Sequence, residues 1–463
     1  MIDVAGRPIL TAAATRDAEA RLFAAGTDAD TLMDRAGEGI ARAARRFAGG
    51  DEILVLCGNG NNGGDGYVAA RRLSDMGHAV RVAAAGEPRT PCAARARAAW
   101  SGRIERLADA PAAPVVVDAL LGIGTDRPLD PALDGVLTRC RAAARFMIAV
   151  DLPTGVEADS GRLPPWLAEA SVDLTLALGV VKPAHVLQPG ARACGTVRLI
   201  DIGLTDHDAT TYVAGHPSLP EPGPDSHKYS RGMVAIVTGS MAGAARLAGE
   251  AALRAGAGYV ALYGDTGQGG PAAIVHRPYA PDALDDRRIG ACVIGPGLGR
   301  DDEARRRVET ALARADTPLL VDGDALHLVT PEALSRRRAP TVLTPHAGEF
   351  ASLFGVGEGS AIDRAAAAAR RAGAVVVLKG PTTVIADGRR AIVTQTGNPW
   401  LSTAGTGDVL AGAIAAQLAH PGADPFEAAV AGVWLHARAA QIAGKSFIAD
   451  DLASALTPAR AGA

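Results

Sequence analysis

Short, continuous apolar runs separated by Ala/Arg-rich stretches of helical character are the feature that most constrains this chain. In the first half they read EILVLC, HAVRVAA, PVVVDALLG, RFMIAVDLP and VDLTLAL. In the second they read GMVAIVTGS, GYVALY, ACVIGPG, PLLVDGD, TVLTPH and AVVVLKG. A strand with one wet face alternates apolar and polar residues, whereas a strand covered on both faces does not. Such runs, alternating with helices, predict a largely parallel α/β sheet in each half. These sheets bind ligands outside the carboxyl ends of their strands. Many of the runs end in Gly, Asp or Pro, so functional side chains are sought there.

The 463 residues exceed one ordinary domain. A seam, HPSLPEPGPDSHK, carries four prolines and no apolar period, which suits an extended linker. The expected division is a domain over 1–213, a Pro-rich linker over 214–223 and a domain over 224–463. A hydrophobic fraction of 48% is ample for two cores. The net charge of −3, spread along the chain, gives no footprint for nucleic acid or a membrane surface. No apolar run reaches membrane-spanning length, and the N-terminus lacks a secretory pattern. Cys57, Cys92, Cys140, Cys194 and Cys292 are scattered without a CxxC pair, so they read as thiols in a reducing cytoplasm. Only four of the 47 basic residues are lysines: Lys182, Lys228, Lys379 and Lys445. Where so Arg-rich a chain keeps Lys, a site can require a compact ammonium.

After the run Ile53–Cys57 comes GNGNNGGDGYVAARRL, residues 58–73. Gly58, Gly60 and Gly63 have the spacing of a dinucleotide-binding turn, whose backbone amides face a pyrophosphate at a helix start. A dinucleotide-using oxidoreductase is one reading, with Glu87 near the place of a ribose-binding acid. It leaves Asn61, Asn62 and Asp65 poorly explained. Side-chain oxygens of that kind also hold a hard cation. Further oxygens sit at later strand ends. Asp118 closes VVVDALLGIG, Asp151 and Thr154 lie in VDLPTG, and a second glycine loop, GIGTDRP, covers residues 122–128. Any one of these acids alone reads as a cap or turn residue. Their succession at strand ends points to a site.

Together GNGNNGGDGYVAARRL, DALLGIG, VDLPTG and LALGVVKPAH resemble the NAD(P)H-hydrate epimerase family over most of residues 1–213. The resemblance implies a Rossmann-like αβα sandwich and a hydrated nicotinamide dinucleotide, NADHX or NADPHX, as substrate. It implies that Asn61, Asn62, Gly63, Gly64 and Asp65, with Gly122, Ile123, Gly124, Thr125, Asp126, Arg127 and Pro128, contact the dinucleotide. Asn62, Asp118 and Thr154 would hold a potassium ion. The family more often has Ser at position 154, and Thr keeps the hydroxyl while adding a methyl. Asp151 would bind substrate and move protons, with Lys182 beside it as a second catalytic group.

STAGTGDVLAGAIAAQ, residues 402–417, is the strongest motif of the second half. Gly405 and Gly407 free the amides at the start of an Ala-rich helix, where amides and helix dipole favour phosphate oxygens. Asp408 falls in the first turn, placed either as a general base or as an ordinary helix-start acid. No Walker A sequence is present. The motif resembles the ribokinase-like superfamily, in which an aspartate in this turn deprotonates a hydroxyl that attacks a nucleotide phosphate. HKYSRG, GSMAGAARLAGEAALRAGAGYV, GPGLG, VDGDAL, LTPHAGE, LKGPTTVI and GNPWLSTAGTGDVLAG follow in order. They narrow the resemblance to ADP-dependent NAD(P)H-hydrate dehydratases, over nearly all of 224–463, and imply a ribokinase-like αβα sandwich. By that resemblance Ala244, Gly297 or Gly299, His346 and Asp408 line the hydrate site. Lys379, Gly380, Pro381, Thr382, Thr383 and Gly407 would hold the adenine nucleotide. The chain departs from the pattern at Gly323, where Ala is usual, and at Trp400, where a glycine is common.

The expected activity is repair of hydrated NADH and NADPH. The first domain would interconvert the R and S hydrates. The second would dehydrate the S hydrate with ADP as co-substrate and Mg²⁺ at the nucleotide phosphates. Other readings are a ribokinase-like small-alcohol kinase fused to a dinucleotide-sensing domain, and a non-enzymatic first half. The expected partners are the hydrates and ADP, in a cytoplasmic homo-oligomer.

Overall fold

The computed structural model describes residues 1–124, 128–205, 207–265, 269–395 and 397–462. The chain divides into two compact units, Met1–Val213 and Ala214–Ala463.

In the first unit, β1 (Ile53–Cys57) and β4 (Val115–Ala119) are buried at every position, as their unbroken apolar sequence requires. With β2 (Val80–Ala84), β3 (Ile104–Arg106), β5 (Phe146–Val150), β6 (Leu174–Leu178) and β7 (Thr196–Ile200) they form one sheet, ordered β3-β2-β1-β4-β5-β6-β7. Every neighbouring pair is parallel. One face packs on the helices Ala29–Ala48 and Asn61–Asp75, with Ile40, Ala44, Tyr67 and Leu73 against Val55, Val117 and Ile148. Leu54, Leu56, Val116 and Met147 are fully buried on the opposite face. The helix Ala29–Ala48 starts at Asp28, whose side chain accepts from Thr31 N (2.6 Å), and stops at left-handed Gly49. A short β8 (Thr211–Val213) runs against the chain's beginning, with Gly6 and Ile9 amides donating to Val213 and Thr211 carbonyls.

Strand order reverses between β1 and β4, which places a crevice at their carboxyl ends. The two loops leaving that point touch. A Cβ on Gly58 would lie 1.9 Å from Leu120 O, so only glycine permits this approach.

The second unit holds β9 (Met233–Val237), β10 (Tyr259–Tyr263), β11 (Val275–Arg277), β12 (Ile289–Ile294), β13 (Leu319–Val321), β14 (Thr341–Leu343), β15 (Val375–Leu378), β16 (Val384–Ala386) and β17 (Ala391–Val393). They are ordered β11-β10-β9-β12-β13-β14-β15-β16-β17. Pairing is parallel as far as β15 and antiparallel through β16 and β17, a hairpin outside the apolar runs read from the sequence. The helices Ala242–Arg254, Thr406–Leu418, Pro425–Ala443 and Ala449–Ala461 contribute to the core on one face. The helix Ala361–Ala372 buries an alanine face of its own. The switch point lies between β9 and β12, where Leu298 O would be 2.1 Å from a Cβ on Gly239. Asp424 caps the helix Pro425–Ala443 through Phe426 N and Glu427 N.

Residues 214–223 carry no helix or strand. They lie on the second unit nonetheless. The His216 ring sits 4.5 Å from that of Trp434, Leu219 packs on the core, and Arg460 donates to Pro220 O. All five cysteines are buried and free. Among the described residues no helix is long and apolar enough to cross a membrane.

Candidate active sites

The chain leaves β5 into Asp151, which has φ of +64°, a left-handed backbone that an L residue adopts at a cost. Its surroundings hold it there. Asp151 N donates to Leu176 O (2.8 Å), and Asp151 O accepts from His185 Nε2 (2.6 Å). His185 Nδ1 accepts from Lys182 N (2.9 Å), so the ring is the neutral Nε2–H tautomer. Burial, then the nearby Lys182 charge, pushes His185 down to about 4, in agreement with that assignment. The side chain is fixed as well. Asp151 Oδ1 accepts from Lys182 Nζ (2.5 Å) and Leu178 N (3.2 Å), and Lys182 Nζ also donates to Leu178 O (2.8 Å). Lys182 is 1% exposed. The sequence brings Asp151 and Lys182 together as expected, but gives His185, in the same KPAH segment, no role.

Asp118, at the end of β4, is fully buried. Its Oδ1 accepts from Thr154 Oγ1 (2.7 Å) and Leu120 N (3.2 Å), and its Oδ2 from Thr154 N (2.9 Å). These donors are neutral. Burial pushes Asp118 up to about 6, and the three hydrogen bonds offset this only in part. Asn62 lies across the crevice, with Nδ2 buried and unpartnered among the described residues. A Cβ on Gly122 would lie 3.1 Å from Asp151 Oδ2 and 3.3 Å from Asn62 Oδ1. Glycine at 122 therefore keeps open a cradle lined by oxygens. A buried carboxylate with neutral partners, a hydroxyl and an amide oxygen form a donor set that fits a monovalent cation. Among the described residues no three His, Cys, Asp or Glu side chains cluster as a metal site.

A cavity of about 650 Å³ opens here, lined by Asn61, Asn62, Asp65, Gly122, Ile123, Gly124, Asp151 and Lys182 together with the helix Ala12–Ala24. Asn61 Oδ1 accepts from Thr90 Oγ1 (2.6 Å). Gly63 and Gly64 are buried in packing, and a Cβ on Gly63 would strike Gly58 O at 1.9 Å. Thr125, Asp126 and Arg127 lie outside the described residues, and Pro128 is exposed. Glu87 pairs with Arg97.

In the second unit three strand ends and one helix start converge. Lys379, after β15, donates through Nζ to Asp322 Oδ1 (2.9 Å), after β13, and lies 3.9 Å from Glu349 Oε2. Thr344 Oγ1 donates to the same Asp322 oxygen (2.7 Å). Left-handed Gly405 opens the helix Thr406–Leu418, and a Cβ on Gly407 would be 3.4 Å from Lys379 Nζ. Asp408 is in the first turn. Burial, then the charge of Asp322, pushes its carboxyl up to about 7, with Lys379 opposing. Burial acts to lower Lys379, but the Asp322 and Glu349 carboxylates outweigh it and hold the ammonium above its usual value. His436 fixes the helix start from below: its Nε2 donates to Thr406 O (3.0 Å), and burial drives it down to about 4.

The remaining expected residues line two flanks. Ala244 and Gly297 touch, since a Cβ on Gly297 would be 3.0 Å from that of Ala244. Gly299 N donates to Asp324 Oδ2 (3.0 Å). His346 lies beside Lys379 in a bridge between strand ends. Its Nδ1 accepts from Gly348 N and Glu349 N, capping the helix Ala347–Phe354, while the ring stays largely exposed. Gly380, Pro381, Thr382 and Thr383 make the turn into β16, tied by Gly397 N to Pro381 O (3.0 Å) and Thr383 N to Thr394 Oγ1 (2.9 Å). Asn398 anchors the adjoining loop by donating to Ala440 O (3.0 Å) and Gly444 O (2.9 Å), and leaves Trp400 45% exposed. Asp322, Asn398 and His436 carry no role in the sequence reading.

Two family models match the chain: one described as NAD(P)H-hydrate dehydratase over residues 234–459, and one as YjeF-related protein N-terminus over 29–184. A bifunctional NAD(P)H-hydrate repair enzyme of Mycobacterium tuberculosis is 38% identical over 432 residues, 87% of each chain. One of Thermofilum pendens is 36% identical, covering 93% of this chain and 90% of its own. Among solved structures, an ADP/ATP-dependent NAD(P)H-hydrate dehydratase of Bacillus subtilis, co-crystallised with ATP and Mg²⁺, is 31% identical with a TM-score of 0.45. The match spans 52% of this chain and 93% of that one.

Proposed function

This chain belongs to the bifunctional NAD(P)H-hydrate repair enzymes, and on that premise we propose how its two sites divide the work. It epimerises NAD(P)H hydrates and dehydrates them at the expense of a nucleotide. Family membership displaces the small-alcohol kinase, the dinucleotide sensor and the oxidoreductase.

Water adds to the reduced ring with its hydroxyl on the carbon beside the ring nitrogen, which creates two epimers. In the first unit the cavity beside the Asp151–Lys182 pair takes the hydrate, and Asp151 moves protons there. Asn62, Asp118 and Thr154 would hold potassium, which would supply a fixed positive charge to the site. In the second unit the S hydrate lies against Ala244, Gly297, Gly299 and His346. Lys379 through Thr383 and Gly407 hold ADP. Asp408 takes the hydroxyl proton as the oxygen attacks the terminal phosphorus of ADP and AMP leaves. The ester then loses phosphate from that carbon and a proton from the neighbouring ring carbon, which restores the ring double bond and releases inorganic phosphate. Mg²⁺ would be carried on the nucleotide phosphates, where it would neutralise charge. The unpaired thiols fit a cytoplasmic setting.

The observation that carries this reading is Asp408, held near neutrality at a glycine-opened helix start beside Lys379. A base is most effective when its pKa lies near the working pH. The test is to incubate the protein with mixed hydrates and ADP or ATP, following reduced-nicotinamide absorbance, AMP and phosphate together. Equal yields of all three from ADP are expected. Accumulation of a phosphorylated hydrate, or restoration without nucleotide turnover, contradicts it.

A further inference from the structure

The epimerase cavity contains a carboxyl group to which binding alone does not do justice. Asp65, in the helix Asn61–Asp75, is only 7% exposed and lines the cavity together with Asp151. Among the described residues its side chain makes no hydrogen bond or ion pair. The groups facing it are Asp151, from the end of β5, and Glu19, from the helix Ala12–Ala24. Arg16 and Arg89 also line the cavity. The buried ammonium of Lys182 is already engaged by Asp151 and Leu178 O. Burial, then Asp151 and Glu19, pushes Asp65 well above the usual carboxylate range. Asp151 differs: Lys182 balances its charge through Oδ1, and Oδ2 faces the Gly122 cradle. One cavity thus offers two carboxyl groups in unlike surroundings, one without a partner and one paired with an ammonium, the arrangement that separates acid and base roles between like groups.

We propose that Asp65 is the proton donor of the epimerisation, working opposite Asp151 as the base. The inference rests on the epimerase reading of this cavity and assigns its second catalytic group. Asp151 Oδ2 takes the proton of the hydrate hydroxyl, and the carbon–oxygen bond becomes a carbonyl. The bond from that carbon to the ring nitrogen breaks, its electron pair stays on nitrogen, and Asp65 protonates the nitrogen. Rotation about the neighbouring carbon–carbon bond turns the other aldehyde face inward. Nitrogen then returns its proton to Asp65 while attacking the carbonyl carbon, and the oxygen recovers the proton held by Asp151. No atom is gained or lost, and both residues end as they began.

The test measures epimerisation of NADPH hydrate by the full chain against pH, corrected for the spontaneous rate, for wild type, Asp65→Asn and Asp65→Glu. Asp65→Asn is expected to lower kcat by about 10²–10⁴-fold with KM little changed, the usual weight of general acid catalysis. Wild-type kcat should fall on the alkaline side as Asp65 ionises, Asp65→Asn should lose that fall, and Asp65→Glu should regain part of the rate. A loss confined to KM, or an unaltered alkaline limb in Asp65→Asn, overturns the proposal. Should Asp65→Asn not fold, Asp65→Glu decides: a kcat and an alkaline limb both unchanged from wild type overturn the proposal, and a lowered kcat with KM little changed and a displaced alkaline limb upholds it. Failure of wild type to interconvert the epimers at any pH would instead sink the epimerase reading, and this proposal with it.

Discussion

Replacing Asp408 by Asn should leave the second unit more stable at neutral pH while disabling it as a dehydratase. Burial and Asp322 move the carboxyl from 3.8 to about 7, which corresponds to roughly 4 kcal/mol of added cost for its ionised form. The sign follows from proton counts. Below about pH 4 folded and unfolded chains both hold the proton. Between about 4 and 7 the unfolded chain releases it first, so this group costs stability as pH rises, and above 7 the whole cost is present. Asn mimics the protonated form and removes the cost. The stability gap in favour of Asp408→Asn should therefore widen by about 2 kcal/mol between pH 5.5 and 8, less whatever solvent access relieves. Urea unfolding at the two pH values, read on the transition of the second unit, measures it. Dehydration should fall by about 10²–10⁴-fold in the same variant. A variant less stable than wild type at pH 8, a gap independent of pH, or near wild-type turnover would each refute the reasoning.

Three further outcomes follow from the same geometry. Asp118→Ala should impair epimerisation and its activation by potassium, without slowing dehydration of the S hydrate; wild-type potassium activation should fade as pH drops below about 6, where Asp118 takes up a proton. Replacing His185 with Phe leaves Asp151 O and Lys182 N without their partner, so the first unit should lose roughly 1–3 kcal/mol by thermal or urea unfolding, and epimerase kcat should fall more than affinity. Chains 1–213 and 214–463 should each fold and keep one activity; insoluble halves from a well-behaved intact chain would contradict this.

Much of the architecture was legible because its causes are local. Continuous apolar runs announce strands covered on both faces, and GNGNNGGDG announces a turn where Gly58 meets Leu120 O. Asp151, Lys182 and Asp408 stand out because their residue types and motif contexts are distinctive. His185 does not, because its partner is a backbone carbonyl, which leaves no mark in the sequence. Asp322 escapes for another reason: its partner Lys379 is 57 residues away, and only the order of β13, β14 and β15 brings them together. The β16–β17 hairpin is built of three-residue strands, too short for a pattern. Residues 214–223 read as a linker from composition, yet the tilted contact of the His216 ring with Trp434 and Leu219 packing on the core attach them to the second unit.

On this reading one chain carries two reactions in series, one unit supplying the epimer that the other consumes. Comparing wild type with Asp151→Ala on an epimeric mixture of NADPH hydrate, with excess ADP, tests it most directly. Wild type should restore reduced-nicotinamide absorbance to completion. Asp151→Ala should restore only the fraction present as the S hydrate at its usual rate, then slow to the pace of spontaneous epimerisation. Completion by both proteins at one rate, or a stall in both at the same point, would contradict the account.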